Sequence, residues 1–104
     1  MLKNHTLKDE KILIRIEYNM AKVLTRLKRY RDSNNLCEEG IKKCIEISSM
    51  YLYGELTYQI GYNYELIGNR KTAIKFYQES LEIFKIRTNN HFNEYIKNRI
   101  QNLS

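Results

Sequence analysis

Apolar side chains recur along this chain at steps of three and four residues, and no proline interrupts them. That spacing is the period of a helix whose one face is buried. With only four glycines, most turn punctuation is missing as well. Abundant Leu, Ile, Glu and Lys then favour long helices over strands. The chain therefore reads as all-α. At 104 residues, 42% of them hydrophobic, it has the length of one small domain and the material for a core.

Five helical segments follow from the stripes. The first runs from about Leu7 to Arg29, with Ile12, Ile16, Met20, Val23, Leu24 and Leu27 expected inward. A break is expected at Asp32-Ser33-Asn34-Asn35, where Asp32 or Ser33 could cap the next helix by accepting an orphan backbone N–H. The second helix reaches Ser48 with Leu36, Cys37, Ile41, Cys44, Ile45 and Ser48 inward. The third spans about Met50 to Ile67 and ends at Gly68-Asn69, the glycine free to turn left-handed. The fourth spans about Arg70 to Arg87, with Ala73, Ile74, Tyr77, Leu81 and Phe84 inward. After Thr88-Asn89-Asn90, a short helix from about His91 to Leu103 buries Phe92, Tyr95, Ile96, Ile100 and Leu103. Loops this short turn each helix back antiparallel to the one before.

Several function classes drop out on composition. The longest apolar run, Ile12-Leu13-Ile14, falls far short of the ~20 residues that span a bilayer. Met1-Leu2-Lys3-Asn4-His5 does not lead into a signal-peptide core, so a cytoplasmic location is expected. Cys37 and Cys44 lie two helical turns apart, roughly 10 Å at ~1.5 Å per residue, too far to bridge. They read as reduced core residues. His5 and His91 lack ligand-spaced partners, so neither a metal nor another cofactor is expected. There is no Gly-rich phosphate loop, HExxH or Cys/Ser–His arrangement, and Glu38-Glu39 and Asp9-Glu10 point apart on their helices. The chain is not expected to be an enzyme. Its net charge of +6 interleaves 18 basic with 12 acidic residues. Arg26-Leu27-Lys28-Arg29-Tyr30-Arg31 is the most basic stretch, at an expected helix C-terminus that favours cations in any case.

An internal repeat narrows the fold. Ile60-Gly61, Tyr64, Gly68, Ala73, Tyr77 and Ser80-Leu81 follow one another at the spacing of the tetratricopeptide (TPR) repeat, a helix–turn–helix of about 34 residues. Gly61 and Ala73 are small where two helices cross closely. Tyr64 fills the gap beside them, and Tyr77 packs back on the first helix. Thr57 and Lys85 stand where the family often has Trp and Pro. A fainter copy lies 40 residues upstream, with Met20-Ala21, Leu24, Ser33, Cys37 and Gly40-Ile41 in the matching slots. The expected architecture is two hairpins, about 12–48 and 50–87, plus a capping helix at about 91–103, wound as an α–α superhelix within one domain of residues 1–104.

The run from Tyr53 to Asn69 and the stretch Ala73-Ile74-Lys75-Phe76-Tyr77 resemble the last repeats of peptide-sensing regulators of Gram-positive bacteria, of the Rap, NprR and PlcR type. The resemblance implies a bacterial, peptide-binding module of a transcription regulator used in quorum sensing, this chain corresponding to its C-terminal end. In such an array the first helix of each pair lines the concave surface. Its exposed side chains are then the candidate ligand contacts: Arg15, Tyr18, Asn19, Lys22 and Arg26 on the first helix, and Glu55, Tyr58, Gln59, Tyr62 and Glu65 on the third. Aromatic faces suit apolar side chains, amides suit a peptide backbone, and Arg or Lys suits a carboxylate. Direct nucleic-acid binding through the basic stretch is the alternative, and self-association a third reading. A homodimer is expected through an apolar edge at Leu7, Leu13 or Ile14.

Overall fold

The computed structural model describes residues 7–86 and 91–104, without the side chains of Leu7, His91 and Phe92. The expectations placed on His5, Arg87, the break at Thr88-Asn89-Asn90 and those three side chains lie outside what is described. Five helices are present: α1 (Leu7–Arg26), α2 (Tyr30–Glu46), α3 (Tyr53–Ile67), α4 (Arg70–Ile86) and α5 (His91–Leu103). No strand occurs among the described residues. Each helix packs on the next, and α1 also touches α3, which gives a slab of 47 × 32 × 17 Å.

Three helices end in one way. Lys28, Ser48 and Gly68 hold left-handed backbone, with φ of 64°, 53° and 99°. At each, the left-handed residue's N–H and the following N–H fold back onto carbonyls of the last turn: Lys28 to Thr25 and Arg29 to Leu24, Ser48 to Ile45 and Ser49 to Cys44, Gly68 to Glu65 and Asn69 to Tyr64. This is the Schellman termination, which satisfies the orphan carbonyls. Only at Gly68 does the residue type announce it. The first break therefore falls at residues 27–29, earlier than Asp32–Asn35. Asp32 sits in the first turn of α2 and pairs with Arg29, and no side chain caps that helix.

Two connected cores hold the hairpins. Ile14, Ala21, Cys37, Cys44, Leu56 and Ile60 form the first, and Tyr58, Ala73, Tyr77, Leu81, Phe84 and Ile96 the second. The small residues do what the repeat requires. A Cβ on Gly61 would meet the Tyr77 ring at 2.8 Å and the Ala73 carbonyl at 3.2 Å. Upstream, Ser33 replaces Ala73 and its Oγ donates to the Ala21 carbonyl at 2.8 Å. Gly40 takes the Leu56 side chain against its Cα. Tyr64 stacks on Phe76. Cys37 and Cys44 are buried and unbridged.

The expected inward stripe of α1 is not the buried one. Ile12, Ile16, Met20, Val23 and Leu27 are 44–62% exposed, while Ile14, Ala21 and Thr25 are buried. The helix carries two apolar faces, and on the buried one Ile14 is followed by Ala21 and Thr25, a small and a polar residue that a hydrophobicity count underweights. Ile45 is likewise exposed, as is Ser48 at its turn. Tyr95 is half-exposed, with its ring against Tyr58 of α3.

Candidate functional site

Helices α1 and α3 lie side by side, and between them runs a groove of about 300 Å³ lined by Lys22, Thr25, Arg26, Gln59, Tyr62 and Leu66. Helical spacing explains the lining. Lys22 and Arg26 are four apart on α1, Tyr62 and Leu66 four apart on α3, so each pair shares a face. One wall therefore presents two cations and the other an aromatic ring beside an aliphatic chain. Lys22 Nζ also lies 4.4 Å from the ring centroid of Tyr18, one turn earlier on α1, a cation–π contact. Burial, and then the Glu55 carboxylate, push the Tyr18 hydroxyl up to about 12, so it stays a neutral donor.

The floor is a buried polar chain. Gln59 Nε2 donates to Thr25 Oγ1 at 2.9 Å, and Thr25 Oγ1 donates to Asn63 Oδ1. Asn63 Nδ2 donates in turn to Ser33 Oγ at 2.9 Å and Asn34 Oδ1 at 2.7 Å. Thr25, Ser33, Asn34, Gln59 and Asn63 are all buried. Buried donors and acceptors must be paired, and here the pairing spans α1, α2 and α3, fixing the groove walls relative to each other.

At the far side of α3, α5 closes the surface. Arg99 donates to Glu65 through Nη2 at 2.9 Å and Nε at 3.1 Å, and Tyr77 Oη donates to Glu65 Oε1 at 2.6 Å. The guanidinium also lies over the Tyr62 and Tyr95 rings, at 5.1 and 5.6 Å. Tyr58 sits beneath, 5.2 Å from the Tyr77 ring and 5.9 Å from that of Tyr95. Burial pushes the Tyr58 and Tyr77 hydroxyls well above the ordinary tyrosine value; a hydrogen bond with Tyr95 adds to it for Tyr58, and one to Glu65 for Tyr77.

The ten sequence candidates thus separate. Lys22, Arg26, Gln59 and Tyr62 meet in the groove. Tyr18 stands half-buried beside it, and Asn19 is exposed. Arg15 turns away, its Nε donating to the Tyr51 hydroxyl at 2.9 Å. Glu65 is engaged by Arg99, and Glu55 is partly buried on α3. Tyr58 and Gln59, expected as exposed contacts, are 8% and 5% exposed. Tyr58 is covered by neighbouring rings, and Gln59 is drawn down to Thr25. Thr25, Leu66 and Arg99 were not anticipated. Arg99 had one available signal, standing 40 residues after Gln59 as Gln59 stands after Asn19.

A larger groove of about 460 Å³ lies elsewhere, between Glu38 and Ile41 of α2, Tyr53, Thr57 and Ile60 of α3, and Phe76, Glu79, Glu82 and Ile83 of α4. Its rim is acidic over an apolar floor. The basic run Arg26–Arg31 straddles the α1–α2 turn, where Arg29 is held by Asp32 at 2.6 Å. Among the described residues no group of His, Cys, Asp and Glu could hold a metal ion, and no helix is long and apolar enough to cross a membrane.

Stacked helix hairpins with small residues at each crossing define a TPR-like helical domain. More particularly, residues 1–103 match the RNPP family C-terminal domain, and the chain belongs to that family, the TPR-like peptide-sensing regulators of the Rap, NprR and PlcR type. The family is regulatory rather than enzymatic. No curated protein and no solved structure matches the chain.

Proposed function

We propose that this chain is the peptide-sensing module of a cytoplasmic bacterial regulator of transcription, and that its ligand lies in the α1–α3 groove. The observation that carries this reading is the opposition of Lys22 and Arg26 to Tyr62 and Leu66 across a fixed amide floor. Two cations four residues apart bind a carboxylate well. The ring and aliphatic chain opposite accept an apolar side chain next to it. A short peptide with an apolar residue beside a free carboxylate, terminal or acidic, fits that chemistry. Of the ten candidates, Lys22, Arg26, Gln59 and Tyr62 are the contacts, with Tyr18 and Asn19 at the groove edge. Arg15, Glu55, Tyr58 and Glu65 shape the surface around it.

The test compares short synthetic peptides ending in an apolar residue, as free acids and as C-terminal amides, by fluorescence anisotropy. Free acids should bind, and both amidation and Lys22→Ala/Arg26→Ala should weaken them about 10-fold or more, since a charge-assisted contact contributes roughly 1.5–3 kcal/mol. Binding that ignores both changes would remove the groove from consideration.

A further inference from the structure

The groove of about 460 Å³ between α2 and α4 faces away from the α1–α3 groove. On α3, Tyr53, Thr57 and Ile60 line it, whereas Gln59, Tyr62 and Leu66 line the other. At ~3.6 residues per turn these two sets fall on roughly opposite faces of the helix. Helices α2 and α4 flank α3 without packing on each other, and the gap between them is the groove. Its floor and both walls therefore come from described helices in the middle of the chain.

The lining is apolar below and acidic above. Thr57 and Ile60 are buried, and the half-buried Ile41, Phe76 and Ile83 give the walls their apolar surface. Glu38 on one wall and Glu79 and Glu82 on the other are exposed along the rim. Glu82 pairs with Lys85 at 3.3 Å, while Glu38 and Glu79 pair with no cation among the described residues. No Lys or Arg lines the groove, although the chain carries 18 of them against 12 acids. Carboxylates facing each other across an apolar trough complement a segment whose apolar stripe is flanked by cations.

The lining also selects the conformation of that segment. An extended chain needs partners for its backbone N–H and C=O groups. This groove holds no side-chain amide, and the Thr57 hydroxyl already donates to the Tyr53 carbonyl at 2.9 Å. A helix satisfies its own backbone and presents only side chains. A second copy of the chain is a poor source of such a helix. Its basic run Arg26–Arg31 straddles the α1–α2 turn with Arg29 tied to Asp32, and Ile14, expected at an apolar edge, is fully buried.

We propose that the α2–α4 groove docks a basic amphipathic helix of a partner protein, its apolar face on Ile60 and Phe76 and its cations against Glu38 and Glu79. The partner and the peptide meet different faces of α3, so this docking does not rest on the peptide reading.

The test titrates the whole, isotope-labelled chain with an amphipathic helical peptide of about 15 residues built from Leu, Ala and Lys. The net charge of +6 repels such a peptide from the surface at large, so binding must come from a local acidic site. The expected result is saturable binding, with the largest amide shifts at Ile41, Phe76, Glu79 and Ile83. Glu38→Lys/Glu79→Lys, with unchanged circular dichroism, should weaken it about 10-fold or more, because repulsion replaces attraction. Exchanging the peptide's leucines for serine, or breaking its helix with a central proline, should abolish binding. No binding by the wild-type chain would overturn the proposal. So would binding that survives the charge reversal, the serine peptide or the proline peptide, and so would shifts centred on Lys22 and Tyr62.

Discussion

Arg99 Nη2 and Glu65 Oε2 lie 2.9 Å apart, and this ion pair fastens the last helix to the third. Each side chain is 23% exposed, so both charges are partly desolvated and each depends on the other. Removing one leaves the partner short of hydrogen bonds, the costlier half of the exchange. Arg99→Ala is expected to destabilise the fold by about 1–2 kcal/mol. It should also speed hydrogen exchange in α5 more than in α1 and α2. Equal acceleration along the whole chain would contradict a local fastening.

Asn63 occupies the position that Val23 holds on α1 and Leu103 on α5, yet it is fully buried and polar. Its amide joins Thr25, Ser33 and Asn34. Asn63→Leu should therefore destabilise by about 2–3 kcal/mol, since it strands several buried polar groups at once. Urea unfolding reads this. If the amide network were incidental, the leucine would be neutral or stabilising.

The left-handed residues give a prediction of opposite sign. A non-glycine side chain in that conformation costs roughly 1–2 kcal/mol. Lys28→Gly and Ser48→Gly remove the strain at sites already shaped for glycine, and each should raise stability by about 1 kcal/mol. An unchanged or lower unfolding midpoint would show that Lys28 and Ser48 make compensating contacts.

These same residues explain what the sequence discloses and what it hides. Gly61, Ala73, Tyr77 and Gly68 have types that only one geometry suits, so the second hairpin is legible down to its turn. Lys28 performs the task of Gly68 with an unremarkable residue type, so the α1–α2 break falls several residues before the Asp32–Asn35 cluster that the sequence points to. Ile16 and Met20 are apolar enough to read as core, and no local pattern tells an outer apolar face from an inner one. That depends on whether a neighbouring hairpin is present. In the groove, Lys22, Arg26 and Tyr62 were legible as a helix face. The descent of Gln59 toward Thr25, and the arrival of Arg99 over Tyr62, need the packing of three helices and cannot be read from one.

The buried thiols make the fold sensitive to alkali. Burial pushes the Cys37 thiol from an ordinary 9.0 up to about 12, a rise only partly offset by a hydrogen bond with Ser33. Burial likewise raises Cys44 to about 11. The unfolded chain then loses these protons before the folded one does. The stability they contribute is fully present below pH 9 and is lost as pH climbs through the 9-to-12 window. Urea midpoints measured across that window should fall, and Cys37→Ala should flatten the decline. A flat profile in the wild-type chain would contradict the burial of these groups.

The measurement closest to the central claim is backbone amide chemical-shift mapping, with a short free-acid peptide titrated into the isotope-labelled chain. The account predicts that the largest shifts fall on Lys22, Arg26, Gln59, Tyr62 and Leu66, and that they vanish in Lys22→Ala/Arg26→Ala. Shifts centred instead on Glu38, Phe76, Glu79 and Ile83 would place the ligand in the acidic groove and contradict it.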